Sequence, residues 1–177
     1  MRIKQLMTKA PKTCRPDSSL SDAARLMWEN DCGCLPVTEG ESERLVGMIT
    51  DRDICMAAYF AERALDELRV ADAMTKDFCA CNPEDDLSEA RAIMRETAVR
   101  RLPVIDASER VIGLLSLADL AREALRQRGM MNRHITVGEV GLVLGAVCEP
   151  NQGASPAQLA APAYALDSSL ERQSEST

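Results

Sequence analysis

Aromatic residues and positive charge are both scarce in this chain. Its 177 residues include one Trp, two Tyr and two Phe, and its net charge at pH 7 is −7. Broad binding to nucleic acid or to an anionic membrane needs a positive field, and base stacking needs aromatic side chains. The composition therefore argues against both kinds of partner, and any anionic ligand must be held by local groups.

Long apolar runs and histidine are scarce as well. No apolar run approaches the roughly 18 residues of a transmembrane helix, and residues 1–13 lack the apolar core of a signal peptide. His134 is the single histidine, and neither a nucleophile elbow nor a Walker loop is present. We therefore expect a cytoplasmic protein that is not an enzyme.

The seven cysteines are an odd number in a chain with no export signal, which favours reduced thiols over a disulfide framework. Two close thiol pairs, Cys32-x-Cys34 and Cys79-x-Cys81, raise the alternative of a metal or redox protein. Zinc motifs normally space their paired cysteines by about two to four residues, and buried cysteine is an ordinary small apolar side chain. We therefore expect no metal site.

An internal repeat organises most of the chain. The tripeptide MTK occurs at residues 7–9 and returns at 74–76, a shift of 67 (74 minus 7). The same shift aligns LPV at residues 35–37 with LPV at 102–104. It becomes 66 after a polar loop in which one residue is lost, and loops are where a fold tolerates changes of length. The repeat therefore reflects structure and not composition.

Each repeat is predicted to contain an extended piece, a helix, two strands and a second helix. The first helices begin at the capping signals Ser19-x-x-Asp22 and Asp86-x-x-Glu89. Short apolar runs divided by polar turns then predict two hairpins, one from residues 35–37 and 45–49 and the other from residues 102–105 and 111–115.

Apolar stripes predict the buried face of each helix. The stripes of the two first helices contain Leu20, Ala23, Ala24 and Met27, and Leu87, Ala90, Met94 and Ala98; that of the last helix contains Leu117, Leu120, Ala121, Ala124 and Leu125. One such unit is too small to cover both faces of its sheet. We therefore predict an α+β fold in which two pseudo-symmetric β-α-β-β-α repeats pack through their sheets into one module.

Three motifs occur in both repeats: an MT start, a central LPV strand and a G-h-h-[ST]-x-x-D signature, in which h is apolar. The signature reads GMITDRD at residues 47–53 and GLLSLAD at 113–119. With these motifs the chain closely resembles the cystathionine-β-synthase-type (CBS) family, whose tandem repeats form a Bateman module. The resulting division is repeat 1 (1–66), repeat 2 (67–128), an extension of unassigned structure (129–148) and a tail expected to be disordered (149–177).

The end of each signature has two compatible interpretations. Thr50-x-x-Asp53 and Ser116-x-x-Asp119 have the spacing of a capping box that starts a helix. A helix start also offers N–H groups and a positive dipole end to phosphate, and a first-turn carboxylate can accept hydrogen bonds from ribose hydroxyls.

The resemblance implies that the hydroxyl lies near the phosphates, that the aspartate binds the ribose, and that the early strand and the Pro-Val strand hold the base. The first candidate nucleotide-binding site comprises Thr13, Cys14, Pro36, Val37, Thr50, Arg52 and Asp53. The second comprises Ala80, Cys81, Arg100, Arg101, Pro103, Val104, Ser116 and Asp119. The sites are unequal, because repeat 1 has Gly33 and Cys34 where repeat 2 has its two arginines.

We therefore expect a regulatory sensor that binds an adenine nucleotide and requires no cofactor. The ligand is open among AMP, ADP, ATP, S-adenosylmethionine and a dinucleotide. The expected mechanism is a population shift, in which bound nucleotide stabilises one arrangement of the repeats and a homodimer or an unidentified regulated protein responds. Two alternatives are a dimerisation scaffold with vestigial sites and a cysteine-based metal or redox protein.

Overall fold

The structure is a computed structural model that describes residues 1–149. The helices are α1 (Leu20–Glu29), α2 (Asp51–Ala61), α3 (Val70–Ala73), α4 (Leu87–Glu96), α5 (Leu117–Arg126) and α6 (Val137–Cys148). The strands are β1 (Thr8–Lys9), β2 (Cys34–Glu39), β3 (Arg44–Thr50), β4 (Arg101–Ile105) and β5 (Val111–Ser116), and a 3₁₀ turn at Ile3–Gln5 precedes β1. The tail predicted at residues 149–177 lies, apart from Glu149, outside the described residues.

Each repeat contains the predicted pair of strands. In repeat 2, β4 and β5 are antiparallel, with Leu102 opposite Leu115. The turn between them is closed by Asp106, whose Oδ1 accepts the backbone N–H of Ser108 at 2.8 Å and of Arg110 at 3.1 Å. In repeat 1, β2 and β3 form the corresponding two-stranded sheet.

The described residues form two compact units, and neither is a continuous stretch of chain. The repeat-1 unit comprises Lys12–Glu41 and Val46–Phe78. The repeat-2 unit comprises Met1–Pro11, Ser42–Leu45 and the described residues from Cys79 onward. The first eleven residues thus belong with repeat 2, and the MTK segment at 74–76 belongs with repeat 1. The boundary between residues 66 and 67 remains a prediction from the sequence pattern.

The core of the repeat-1 unit depends on the segment that leads into repeat 2. Leu68 and Val70 are buried among side chains of α1, β2 and α2. Two backbone hydrogen bonds hold this segment, from the N–H of Leu20 to the Leu68 carbonyl at 2.9 Å and from the N–H of Val70 to the Ser18 carbonyl at 2.9 Å. The backbone of Thr75 then bridges to Met48 in β3.

The repeat-2 unit is completed in the same way by the beginning of the chain. Ile3 is fully buried in its core, where it takes the place that Val70 has in the other unit. The backbone N–H of Ile3 donates to the Asp85 carbonyl at 3.0 Å. Strand β1 then adds to the sheet beside β5, with Thr8 opposite Leu114. Each MTK segment therefore joins the sheet of the other repeat.

The glycine of each signature makes room for the methionine of the exchanged segment. A Cβ atom at Gly47 would lie 3.0 Å from Met74 Sδ and 2.9 Å from the Thr75 carbonyl oxygen. At Gly113 a Cβ atom would clash with Met7 Sδ. The signature glycine is thus required by close packing, because an added side chain would occupy space that the methionine fills.

The capping signals mark the helix starts as predicted. Ser19 caps α1 and accepts the backbone N–H of Asp22 at 3.0 Å, and Asp86 with Glu89 forms the capping box of α4. Two predicted burials are wrong. Ala98 lies beyond the end of α4 in a left-handed conformation (φ 54°), and Leu125 is 59% exposed because it faces away from the core stripe of α5.

Helix α6 accounts for most of the extension that the sequence left unassigned. It begins at a capping box of Thr136 with Glu139, and it packs on α4 and α5 by burying Val140 and Val143. Arg91 of α4 forms an ion pair with Glu139. Three glycines obscure the helical pattern in the sequence, since glycine is a poor helix former.

Candidate functional site

The start of α2 carries the first candidate pair. Asp53 Oδ2 accepts the backbone N–H of Thr50 at 2.8 Å and its hydroxyl at 2.7 Å, and the Thr50 hydroxyl accepts the N–H of Asp53 at 3.2 Å. The other carboxylate oxygen, Oδ1, makes no hydrogen bond to any of residues 1–149. One oxygen of Asp53 therefore closes the helix start, and the other is available to a ligand.

The predicted base-binding segments of repeat 1 do lie side by side. Cys14 forms a parallel bridge with Val37. Its N–H donates to the Pro36 carbonyl at 3.1 Å, and its carbonyl accepts the N–H of Thr38 at 2.9 Å. Cys14, Pro36 and Val37 are buried, and Thr13 is half-buried at the edge. The bridge therefore places the buried side chains of Cys14 and Val37 side by side in repeat 1.

Repeat 2 has the same capping pair at a helix start and the same parallel bridge. Asp119 Oδ2 accepts the N–H of Ser116 at 2.8 Å and its hydroxyl at 2.6 Å. Cys81 forms a parallel bridge with Val104, and the N–H of Cys81 donates to the Pro103 carbonyl at 3.1 Å. Ala80, next to this bridge, is half-buried like its counterpart Thr13.

The two carboxylates differ in what holds the second oxygen. Asp119 Oδ1 is paired with the guanidinium of Arg122, one turn further along α5, whereas the alignment places Met56 at the same point of α2. Asp119 is also more deeply buried, at 7% exposure. Sequence reasoning missed Arg122, although the Asp-x-x-Arg spacing is the ordinary signal for an ion pair on a helix.

The arginine pair of repeat 2 stands beside the start of α5. The Arg100 carbonyl accepts the N–H of Leu117 at 2.9 Å, and Arg101 lies opposite Ser116 in the β4–β5 register. Arg101 is half-buried and forms no ion pair within residues 1–149, and Arg100 is exposed. In repeat 1, the carbonyl of Gly33 receives the corresponding N–H, from Asp51 at 3.3 Å.

The first-turn N–H groups of the two helices also differ. At α2, the carboxylate of Asp51 accepts the N–H of Arg52 at 2.8 Å, so an acidic side chain already occupies this end of the helix dipole. The guanidinium of Arg52 is exposed. At α5, Leu117 and Ala118 stand at these positions, and the N–H of Ala118 has no partner in the described chain.

The cysteines within the two sites, Cys14 and Cys81, are buried. Burial raises the pKa of the Cys14 thiol to about 12, against the smaller effect of a backbone hydrogen bond. Burial, reinforced by the negative charge of Asp85, raises the pKa of the Cys81 thiol to about 12. In the absence of a metal, both thiols are therefore protonated at neutral pH. Within residues 1–149, no cluster of three or more His, Cys, Asp or Glu side chains has a geometry that holds a metal.

None of the helices in residues 1–149 has the length and hydropathy needed to cross a membrane.

Comparison with known proteins gives consistent matches. The family model of the CBS domain matches residues 3–59 and 70–126. The CBS domain-containing protein YhcV of Bacillus subtilis is 33% identical over 119 residues, which cover 67% of this chain and 82% of YhcV. Longer enzymes match as well, and the chain spans 21% and 27% of two inosine-5′-monophosphate dehydrogenases. Such partial matches give no evidence of catalysis.

Solved structures match over most of the described chain. Hypoxic Response Protein I, with two coordinated zinc ions, is 30% identical and superposes with a TM-score of 0.62, over 69% of this chain and 98% of that one. CBSX2, in complex with AMP, is 28% identical with a TM-score of 0.62, over 72% of this chain and 98% of that one.

The matches confirm the predicted α+β fold and its two repeats. They cover the two signature-bearing segments and end near the point where the internal repeat ends. The chain therefore belongs to the CBS-domain family.

Proposed function

We propose that this chain is a regulatory module that binds adenine nucleotides or nucleosides at the starts of α2 and α5. The observation that carries the proposal is the carboxylate of Asp53, which closes the start of α2 with one oxygen and leaves the other without a partner in residues 1–149. A free carboxylate oxygen at a helix start is suited to accept hydrogen bonds from ribose hydroxyls.

A second feature of repeat 1 supports an adenine ligand. The bridge between Cys14 and Val37 brings two buried apolar side chains together, and apolar side chains are the usual lining of a site that holds a flat base. CBSX2, which is bound to AMP, has the same fold at 28% identity. AMP, ADP, ATP and S-adenosylmethionine all present the adenosine group that such a site would bind.

A thermal-shift panel with these four ligands tests the proposal. A ligand that binds only the folded protein adds about 2.7 kcal/mol at 100 times its dissociation constant, which is a readily measured stabilisation. We expect at least one of the four to stabilise the chain, and we expect Asp53→Asn with Asp119→Asn to reduce that effect. If none of the four raises the melting temperature, the module is not an adenine sensor.

Asp22→Asn is the matched control for these variants. Asp22 also bonds to the N-cap residue of its helix, because its carboxylate accepts the Ser19 hydroxyl at the start of α1, but it lies in neither candidate site. Loss of a capping carboxylate alone should lower the melting temperature of this variant and leave its response to ligand unchanged.

The output of the sensor goes, in this proposal, through a homodimer or a regulated protein. Three of the five aromatic residues, Trp28, Tyr59 and Phe60, are exposed on α1 and α2, by 88%, 71% and 42%. Aromatic side chains are enriched at protein interfaces, so this surface also favours the second candidate function, a dimerisation scaffold. Sedimentation velocity with and without ligand separates the two: a sensor changes its association on binding, and a scaffold associates equally in both conditions.

A further inference from the structure

We propose that the two sites select ligands of different charge: the Asp53 site binds adenosine compounds without phosphate through the ribose, and the Asp119 site binds phosphorylated nucleotides through the phosphate. The proposal rests on the proposed function and assigns a ligand class to each site. It is based on the different residues that the two repeats carry at equivalent positions of their sites.

The first site is built to hold a ribose and not a phosphate. Asp53 Oδ1 is available because the residue one turn later is the uncharged Met56, whereas Asp119 has Arg122 at the equivalent position. Asp51 occupies the first-turn N–H of Arg52 with its own carboxylate. The charged groups at this helix start are Asp51, Arg52 and Asp53, with a net charge of −1. A phosphate monoester carries about −1.5 to −2 at pH 7, so the carboxylates of Asp51 and Asp53 oppose its binding at this helix start.

The second site is suited to a phosphate more than to a ribose. Asp119 is buried, and its Oδ1 is already held by Arg122, so a ribose hydroxyl has to compete with a guanidinium. The N–H of Ala118 has no partner in the described residues. Arg101 is a half-buried cation without an ion pair in residues 1–149, directly opposite Ser116. With Arg100, these groups give the start of α5 a net charge of +2, which favours an anion.

Adenosine and AMP differ by one phosphate, so titration calorimetry of the full chain with both ligands tests the proposal. We expect Asp53→Asn to weaken adenosine binding about tenfold or more, because a hydrogen bond to a charged group is lost at the first site. AMP binding at the Asp119 site should be unchanged. We expect Arg101→Gln to weaken AMP binding about tenfold or more and to leave adenosine binding unchanged.

Two variants that give the first site the charge pattern of the second test the same idea. Asp51→Asn removes the carboxylate from the first site and should strengthen AMP binding there several-fold in an Arg101→Gln background. Met56→Arg gives Asp53 the partner that Asp119 has and should weaken adenosine binding roughly two- to fivefold. Arg25→Met is the control for changes to such pairs, because Arg25 and Asp22 form the same i, i+3 contact at 2.9 Å on α1.

The outcomes separate this inference from the proposed function. If the wild-type chain binds neither adenosine nor any of AMP, ADP, ATP and S-adenosylmethionine, both are overturned. If it binds adenosine and AMP but Arg101→Gln weakens adenosine as much as AMP, or Asp53→Asn weakens neither, the chain is still an adenosine-binding module and the charge selection is wrong. Circular dichroism and melting temperatures of all variants establish that these differences do not arise from unfolding.

Discussion

Replacement of Gly47 by alanine should destabilise the repeat-1 unit by about 1–3 kcal/mol, the usual cost of overpacking. The added Cβ atom would lie 2.9 Å from the Thr75 carbonyl oxygen. This carbonyl has little freedom to move, because the backbones of Thr75 and Met48 exchange hydrogen bonds of 2.8 and 3.0 Å. The strain must then be absorbed by β3 or by the exchanged segment.

Gly113→Ala, the equivalent change in repeat 2, should cost less. The nearest atoms to its Cβ all belong to the side chain of Met7, whose Cγ and Cε would be 3.0 and 3.2 Å away. A methionine side chain is flexible and can move aside where a backbone carbonyl cannot. In a double-mutant cycle, Met7→Ala should therefore recover part of the cost of Gly113→Ala, whereas Met74→Ala should recover little of the cost of Gly47→Ala.

Gly141→Ala should stabilise the protein, in contrast to the two variants above. Gly141 lies in the exposed interior of α6, and no atom lies within 4 Å of a Cβ placed there. Alanine is the better helix former by about 0.8–1 kcal/mol, so this variant should be more stable than the wild type.

Urea unfolding followed by far-ultraviolet circular dichroism measures all of these variants. Fluorescence is a weak probe here, because Trp28 is 88% exposed in the folded chain. We expect a lower midpoint for Gly47→Ala with an unchanged denaturant slope, and a higher midpoint for Gly141→Ala. A Gly47→Ala variant as stable as the wild type would refute the close-packing explanation of the signature glycine.

Two further predictions follow from the pKa shifts. Because burial raises the pKa of the Cys14 and Cys81 thiols to about 12, an alkylating reagent at neutral pH should label exposed Cys79 far faster than either; rapid labelling of Cys81 in the folded protein would contradict its burial. Hydrogen bonds from Arg126 hold the pKa of the Glu123 carboxyl below its ordinary value, so its stabilising contribution is complete above a pH of about 4.3 and is lost as the pH falls through the lowered pKa. Glu123→Gln should therefore flatten the acid limb of stability against pH, and an unchanged limb would argue against the pair.

The sequence predicted those features that depend on local chemistry. The capping signals at Ser19 and Asp86 mark the starts of α1 and α4, and the polar turn at Asp106 divides a hairpin, because each acts on backbone groups within a few residues. The family resemblance assigned Cys14 and Val37 to one candidate site, but it did not predict the parallel bridge that joins them.

The sequence pattern did not predict that each MTK segment pairs with a strand of the other repeat. Periodicity indicates that a segment is extended and which of its sides is apolar, but not which sheet edge it joins. Ile3 and Val70 look like ordinary apolar residues at the start of their own repeats, yet each completes the core of the other unit. Helix α6 was missed for a different reason, since its glycines lower the helical signal and tertiary packing on α4 and α5 overcomes it.

The capping box links fold and function, because it uses only one oxygen of each carboxylate. The second oxygen is held by an arginine in Asp22, Asp119 and Glu139, whose partners are Arg25, Arg122 and Arg91. Such pairs add about 0.3–0.5 kcal/mol when they lie on a helix surface. Asp53 has no such partner in residues 1–149, and neither has Glu89 in the capping box of α4, so an open oxygen does not by itself mark a ligand site. Asp53 differs from Glu89 because it also ends a G-h-h-[ST]-x-x-D signature, so its open oxygen supports the proposed ligand site at the start of α2, whereas that of Glu89 supports none at the start of α4.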